Sequence, residues 1–278
     1  MRLLFILLIP CLLVCIINNS ANGKGHVAPE KKALRIAKIN AVLLDSIHQL
    51  LVVFNETPES SSAVLVALEK KGKLWRIVSA PIPAGIGRKG FAAPGAKREV
   101  DQQSPSGFFR LGQLFCYDKD VNTRMPFIQT TPEDKWIDDT DSDDYNRHIR
   151  GATQAKSYEK LKIRSDEYKY CMVIEYNTHP VVKGMGSAIF LHLSEGDNPN
   201  PSAGCVVVTE SDMEWLLNWM KQEFKPSILM GNDKVLMSGN LTGTGVASHV
   251  SSSIPGFVRK TRTKPKKVLY LPALILNQ

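Results

Sequence analysis

The chain has 278 residues, 43% hydrophobic and 22% charged, ordinary proportions for a soluble globular protein of one main domain plus extensions. Its formal charge of +8 suggests nucleic acid only until it is located. Arg2 lies at the start, Arg259, Lys260, Arg262, Lys264, Lys266 and Lys267 lie near the end, and the remainder is almost neutral. With no aromatic-rich basic module, nucleic acid is excluded as an expected partner. The basic tail suits an anionic envelope surface, phospholipid heads or wall polymers, or is simply solvated.

In chain order, Arg2 and the apolar run Leu3 to Ile17 have the length of a signal-peptide core, with small residues at Ala21 and Gly23. Residues 1–23 are therefore expected to direct export, to a periplasm or cell envelope. A retained anchor is the alternative, against which Pro10 and Asn18-Asn19-Ser20 shorten the apolar span. Cys11 and Cys15 would leave with the leader, so the mature chain keeps Cys116, Cys171 and Cys205. An odd count in an oxidising compartment points to one reactive thiol, expected to be Cys205, with or without a Cys116–Cys171 disulfide.

Residues 24–42 read as a basic, partly helical lead-in, and 43–230 as the main domain. Gln49 to Phe54, Ala63 to Leu68 and Leu74 to Val78 have the β-branched character of a strand meander. Gly85-Ile-Gly-Arg-Lys-Gly90 matches GxGxxG, but Pro94 and Gly95 follow at once and leave no room for the helix that a dinucleotide site needs. These glycines are assigned to turns beside a cleft. Asp139, Asp141 and Asp143 alternate like the opening of a calcium loop, yet Asp144 stands where glycine is required and Arg150 where a bidentate glutamate is, leaving a solvated acidic loop. Ala152 to Leu161 looks like a short helix and Tyr170 to Tyr176 like a buried strand.

Ser187 to His192 reads as a strand with a histidine at its far end. The turn formers Gly196, Asp197, Asn198, Pro199, Asn200 and Pro201 then make an exposed loop. If that loop folds back, Cys205 returns beside His192, and Val206 to Val208 re-enter the core as a second strand. A histidine within hydrogen-bond reach supplies the base that a thiol needs, and the amides of the Gly204-Cys205 turn can meet an oxyanion. Thr209 with Asp212 starts a helix whose Met213, Leu216, Leu217 and Met220 make one apolar face. Residues 231–278 read as low-complexity linker to 267 and then a short apolar run, Val268 to Leu276, suited to an exposed edge or a membrane surface.

The strand ending in His192 and the Pro201-Ser-Ala-Gly-Cys205 turn together resemble the L,D-transpeptidase catalytic-domain (YkuD-like) family. They are most similar to a branch reading SAIFLH and then AGC where the wider family reads SHGC. The likeness extends through APGAKREVDQQSPSGFFRLG, TRMPF, WIDD and YNR, over roughly residues 45 to 222. It implies a mainly β fold, a sandwich or partly closed barrel with a few peripheral α-helices. It also implies a cysteine acyltransferase on peptidoglycan stem peptides that needs no metal or cofactor. Cys205 matches the nucleophile and His192 the general base, with Gly204 beside the oxyanion. Ser202, Tyr145, Asn146, Arg147 and Arg98 are the expected substrate contacts, with Asp101 a further candidate to line the site. Arg147 is a candidate either for a stem carboxylate or for pairing with the adjacent aspartates. Ala203 and Val207 depart from the usual motif, which bears on acceptor choice. Hydrolysis of the same bond, or wall binding without catalysis, are the competing readings.

Overall fold

The computed structural model describes residues 27–241; the expected leader, the basic tail and the apolar Val268 to Leu276 lie outside the described residues. The strands run in chain order as β1 (Gln49–Asn55), β2 (Ser62–Lys71), β3 (Leu74–Ile77), β4 (Ile82–Gly85), β5 (Gly107–Cys116), β6 (Phe127–Gln129) and β7 (Asp134–Ile137). They continue as β8 (His148–Arg150), β9 (Tyr158–Lys160), β10 (Tyr170–Ile174), β11 (Phe190–Leu193), β12 (Val206–Val208) and β13 (Ser227–Asn232). Helices α1 (Pro29–Ile39), α2 (Glu210–Trp219) and α3 (Asp233–Met237) complete the described elements of more than one turn.

The main sheet follows the path β1-β13-β5-β10-β11-β12-β4-β2, and β2 pairs back onto β1, so the sheet closes into a barrel. β3 and β6 are side pairings on β2 and β5, and β8-β7-β9 form a small separate sheet. Closure decides between the two expected architectures in favour of the barrel.

Every residue of β1 is buried, because both faces are covered. Leu51 and Val53 point into the barrel interior, while Leu50, Val52 and Phe54 pack outward under Ala33, Ile36 and Ala37 of α1. A run without alternation is what two covered faces produce. The interior is filled from α2 by Met213, Leu216 and Leu217, joined by Met220. Thr209 caps that helix by accepting from the Asp212 amide at 3.3 Å, as its sequence indicates.

Several boundaries differ from expectation. The lead-in is an integral wall of the fold, since Lys32 on α1 ion-pairs with Glu56 and Asp233. The fold does not stop at residue 230: β13 runs to Asn232 and α3 follows, with Leu236 buried. Residues 152–161 are not a helix, because Tyr158–Lys160 pairs with β7 and tertiary pairing overrides local preference. Cys116 and Cys171 are free thiols. They sit on neighbouring strands but on opposite faces, Cys116 in the interior and Cys171 in the outer cluster with Cys205. Side chains pointing apart cannot be bridged without moving backbone.

Candidate active site

β11 and β12 are paired in parallel, Leu191 opposite Val206 and His192 opposite Val207. The twelve-residue link between them therefore crosses back over the sheet end, as the turn formers anticipate. In a parallel ladder paired residues share a face and alternate residues return to it. Phe190, His192, Cys205 and Val207 thus face outward, toward the small β8-β7-β9 sheet, while Leu191, Leu193, Val206 and Val208 face the interior.

The register sets His192 across from Val207 rather than from Cys205, an offset of about 8 Å between Cα atoms by strand geometry. Among the described residues no hydrogen bond joins the two side chains. The Cys205 thiol instead donates to the Ala188 carbonyl and accepts from the Phe190 amide, each at 3.3 Å. This corrects the expectation of direct contact in the resting protein. Ala188 has φ +52°, so the strand begins at Phe190 rather than Ser187. That left-handed residue is what turns its carbonyl to the sulfur.

Burial sets the resting protonation states. The Cys205 thiol is pushed up to about 12 by burial, against which the Phe190 amide acts. His192 is held down at about 4 by burial, with the carbonyls of Leu193 and Glu167 opposing. The pair rests as neutral thiol and neutral imidazole. His192 Nδ1 lies 2.9 Å from the Leu193 carbonyl; since a carbonyl only accepts, we assign the proton to Nδ1 and the lone pair to Nε2. Tyr168 packs edge-on against the imidazole, 5.1 Å between centroids.

Both side chains line one cleft of about 310 Å³. The Cys205 turn is fixed from behind. Ser104 Oγ donates to the Gly204 carbonyl at 2.7 Å, and Ser202 Oγ donates to the Cys205 carbonyl at 2.7 Å while accepting from the Gly204 amide at 3.0 Å. The Gly204 amide is thus engaged in the resting turn, leaving the amide of Cys205 itself as the adjacent donor for an oxyanion. A Cβ at Gly204 would stand 3.0 Å from the Gln103 carbonyl, so a side chain there would press on that backbone. Gly87 bridges Ser202, and a Cβ at Gly85 would stand 2.2 Å from the Asn200 carbonyl. Gly87 and Gly90 do close a turn, the Gly90 amide donating to the Gly87 carbonyl at 2.8 Å, while Gly85 ends β4.

The expected substrate contacts divide. Ser202 lines the cleft as part of the turn. Asn146 is buried and fully engaged: its Oδ1 accepts from Trp136 Nε1 and the Ala188 amide, and its Nδ2 donates to the Tyr176 and Asn177 carbonyls. It orients Ala188 rather than substrate. Tyr145 is buried too, donating to Glu99 at 2.8 Å. Arg147 is exposed, stands outside the cleft lining, and among the described residues makes no ion pair with the adjacent aspartates. Arg98 turns away to the Gly95 and Lys97 carbonyls, and Asp101 is occupied by Lys97.

The neighbours Lys97 and Glu99 enter the cleft instead, with Arg88, Asp138, Glu159 and Glu167. Crowding by the cleft wall pushes the Glu159 carboxyl up, although the residue as a whole is exposed, and Asp138 and Glu167 add repulsion. Positive φ at Val100 and Gln102 makes the segment irregular, so no alternation rule identifies which of its side chains turn inward.

The family model described as the L,D-transpeptidase catalytic domain, YkuD, matches residues 59–247. No curated protein sequence matches the chain. Among solved structures, the helical cell shape determining protein Pgp2 from Campylobacter jejuni is similar at 13% identity and TM-score 0.36, covering 74% of this chain and 59% of its own. The chain therefore spans about three fifths of that relative. An L,D-transpeptidase fragment from Xylanimonas cellulosilytica is similar at 12% identity and TM-score 0.28, covering 71% of this chain and 78% of its own.

Proposed function

This chain belongs to the YkuD L,D-transpeptidase catalytic-domain family, and from that premise we propose that it is an exported cysteine acyltransferase acting on peptidoglycan tetrapeptide stems. The observation that supports this reading best is the parallel pairing of β11 and β12, which gives His192 and Cys205 one face and one open cleft.

A donor stem enters with the carbonyl of its third residue over the sulfur. The Cys205 side chain swings from the Ala188 carbonyl toward His192, its proton passes to Nε2 as the sulfur attacks, and the carbonyls of Leu193 and Glu167 favour the imidazolium. The Cys205 amide meets the oxyanion. The C–N bond then breaks, the imidazolium proton goes to the departing D-alanine amine, and a thioester remains on Cys205. An amine of another stem, its proton taken by His192, then attacks the thioester carbonyl; the C–S bond breaks and the proton returns to the Cys205 sulfur. Carboxylates of Asp138, Glu159 and Glu167 in the same cleft favour a cationic acceptor over water.

A resting thiol this weakly acidic alkylates slowly at neutral pH, so low basal reactivity does not separate an enzyme from a binding module. Adduct formation does. Intact-mass analysis after exposure to a tetrapeptide donor or a carbapenem is expected to show one acyl group on Cys205 and none on Cys205→Ala. Wild-type protein that stays unmodified rules the reading out. Muropeptide incubation then separates crosslinked dimers, the mark of transfer, from trimmed tripeptides, the mark of hydrolysis.

A further inference from the structure

Lys97 is buried, its side chain 5% exposed, and its stem threads between two glycines. A Cβ at Gly186 would lie 3.0 Å from its Cγ, and one at Gly204 would lie 3.6 Å from its Cε. Gly186 leads into Ser187, Ala188 and β11; Gly204 directly precedes Cys205. The lysine thus fills the gap between the segment that presents the Ala188 carbonyl and the turn that presents the sulfur. Its ammonium donates to Asp101 Oδ1 at 2.6 Å and to the Arg98 carbonyl at 2.9 Å. Asp101 is itself tied down by the amides of Arg98 and Gln103.

A cation is costly to bury unless it is paired, and a single carboxylate that also accepts two amides neutralises it incompletely. Cys205 is faced by His192 on β11, Cys171 on β10, Tyr168, and Glu159 on β9. Glu159 disfavours a thiolate and Lys97 favours one.

We propose that Lys97 is a positioning residue that holds positive charge beside the Cys205 sulfur, so that the thiolate is stabilised as it forms, with Asp101 limiting the strength of that charge. The proposal rests on the reading of Cys205 as the nucleophile but not on the identity of the substrate. It is therefore tested without peptidoglycan, by the pH profile of iodoacetamide alkylation followed separately at each thiol of the full chain.

Lys97→Met is expected to move the Cys205 profile to higher pH, slowing alkylation at a fixed pH about tenfold for each pH unit of displacement, with Lys97→Arg restoring it. Asp101→Asn, which leaves the ammonium without its carboxylate, is expected to speed alkylation of Cys205 alone. The opposite sign separates a charge role from a strut, for which losing Asp101 would only slow or leave the rate. Cys116 and Cys171, both buried, report on the fold in the same samples. If Lys97→Met unfolds, the sign for Asp101→Asn decides. A Lys97→Met profile matching wild type, an unchanged or slower Asp101→Asn, or faster alkylation of Cys116, Cys171 and Cys205 together overturns the proposal. A missing donor adduct beside an intact Lys97 effect overturns the substrate reading instead.

Discussion

His192 illustrates how one buried side chain ties stability to pH. Its folded pKa is lowered to about 4 by burial, below the 6.5 of a free imidazole. The stabilisation is therefore complete above pH 6.5 and is lost as pH falls toward 4, on the order of 3 kcal/mol. Urea unfolding of wild type between pH 7 and 4 should show that decline, and His192→Gln should lack it. Asn146 is a second residue whose role differs from its motif reading. Replacing it with alanine strands the Trp136 indole and the Ala188 amide, together with two carbonyls, a loss of about 3 kcal/mol by urea unfolding. The Ala188 carbonyl loses its fixed direction as well, so a slower donor adduct on Cys205 is expected. That Cys205 and His192 share one cleft was legible because the turn formers between them return the chain to the same end of the sheet. Lys97 and Glu99 were not, because their inward turn depends on positive φ at Val100 and Gln102, which no side-chain pattern announces.

Among elements, the strands formed from β-branched runs were readable from residue chemistry, and so was α2 with its cap. Thr209→Ala is expected to cost about 1 kcal/mol, measured as a lower urea midpoint at unchanged m-value, since the Asp212 amide loses its acceptor. The misread segment 152–161 shows where local reasoning ends. Tyr158–Lys160 is a strand because β7 offers it partners at Lys135, Trp136 and Ile137, and such partners are invisible along the chain. The choice between sandwich and barrel stayed open for the same reason: β1 pairs with β13 across most of the domain, so the two architectures share one local signature.

At the scale of the whole molecule, α1 belongs to the core although its composition reads as a lead-in. Removing residues 1–42 would uncover Leu50, Val52 and Phe54 on β1 with Val66 and Leu68 on β2. The loss is expected to be on the order of 5 kcal/mol, or roughly 10–20 °C in melting temperature. Thermal melts of chains starting at residues 27 and 43 check this, and equal midpoints would contradict it. The crossover between β11 and β12 has an evolutionary corollary. Because ladder hydrogen bonds hold β11 and β12 in register, while Glu195 to Asn198 of the link between them are exposed, insertions in that link are expected to leave His192 and Cys205 where they stand. On the proposed reading, the reactive pair and the loop beside it are then separately heritable, and a lineage can change its customers without rebuilding its machine.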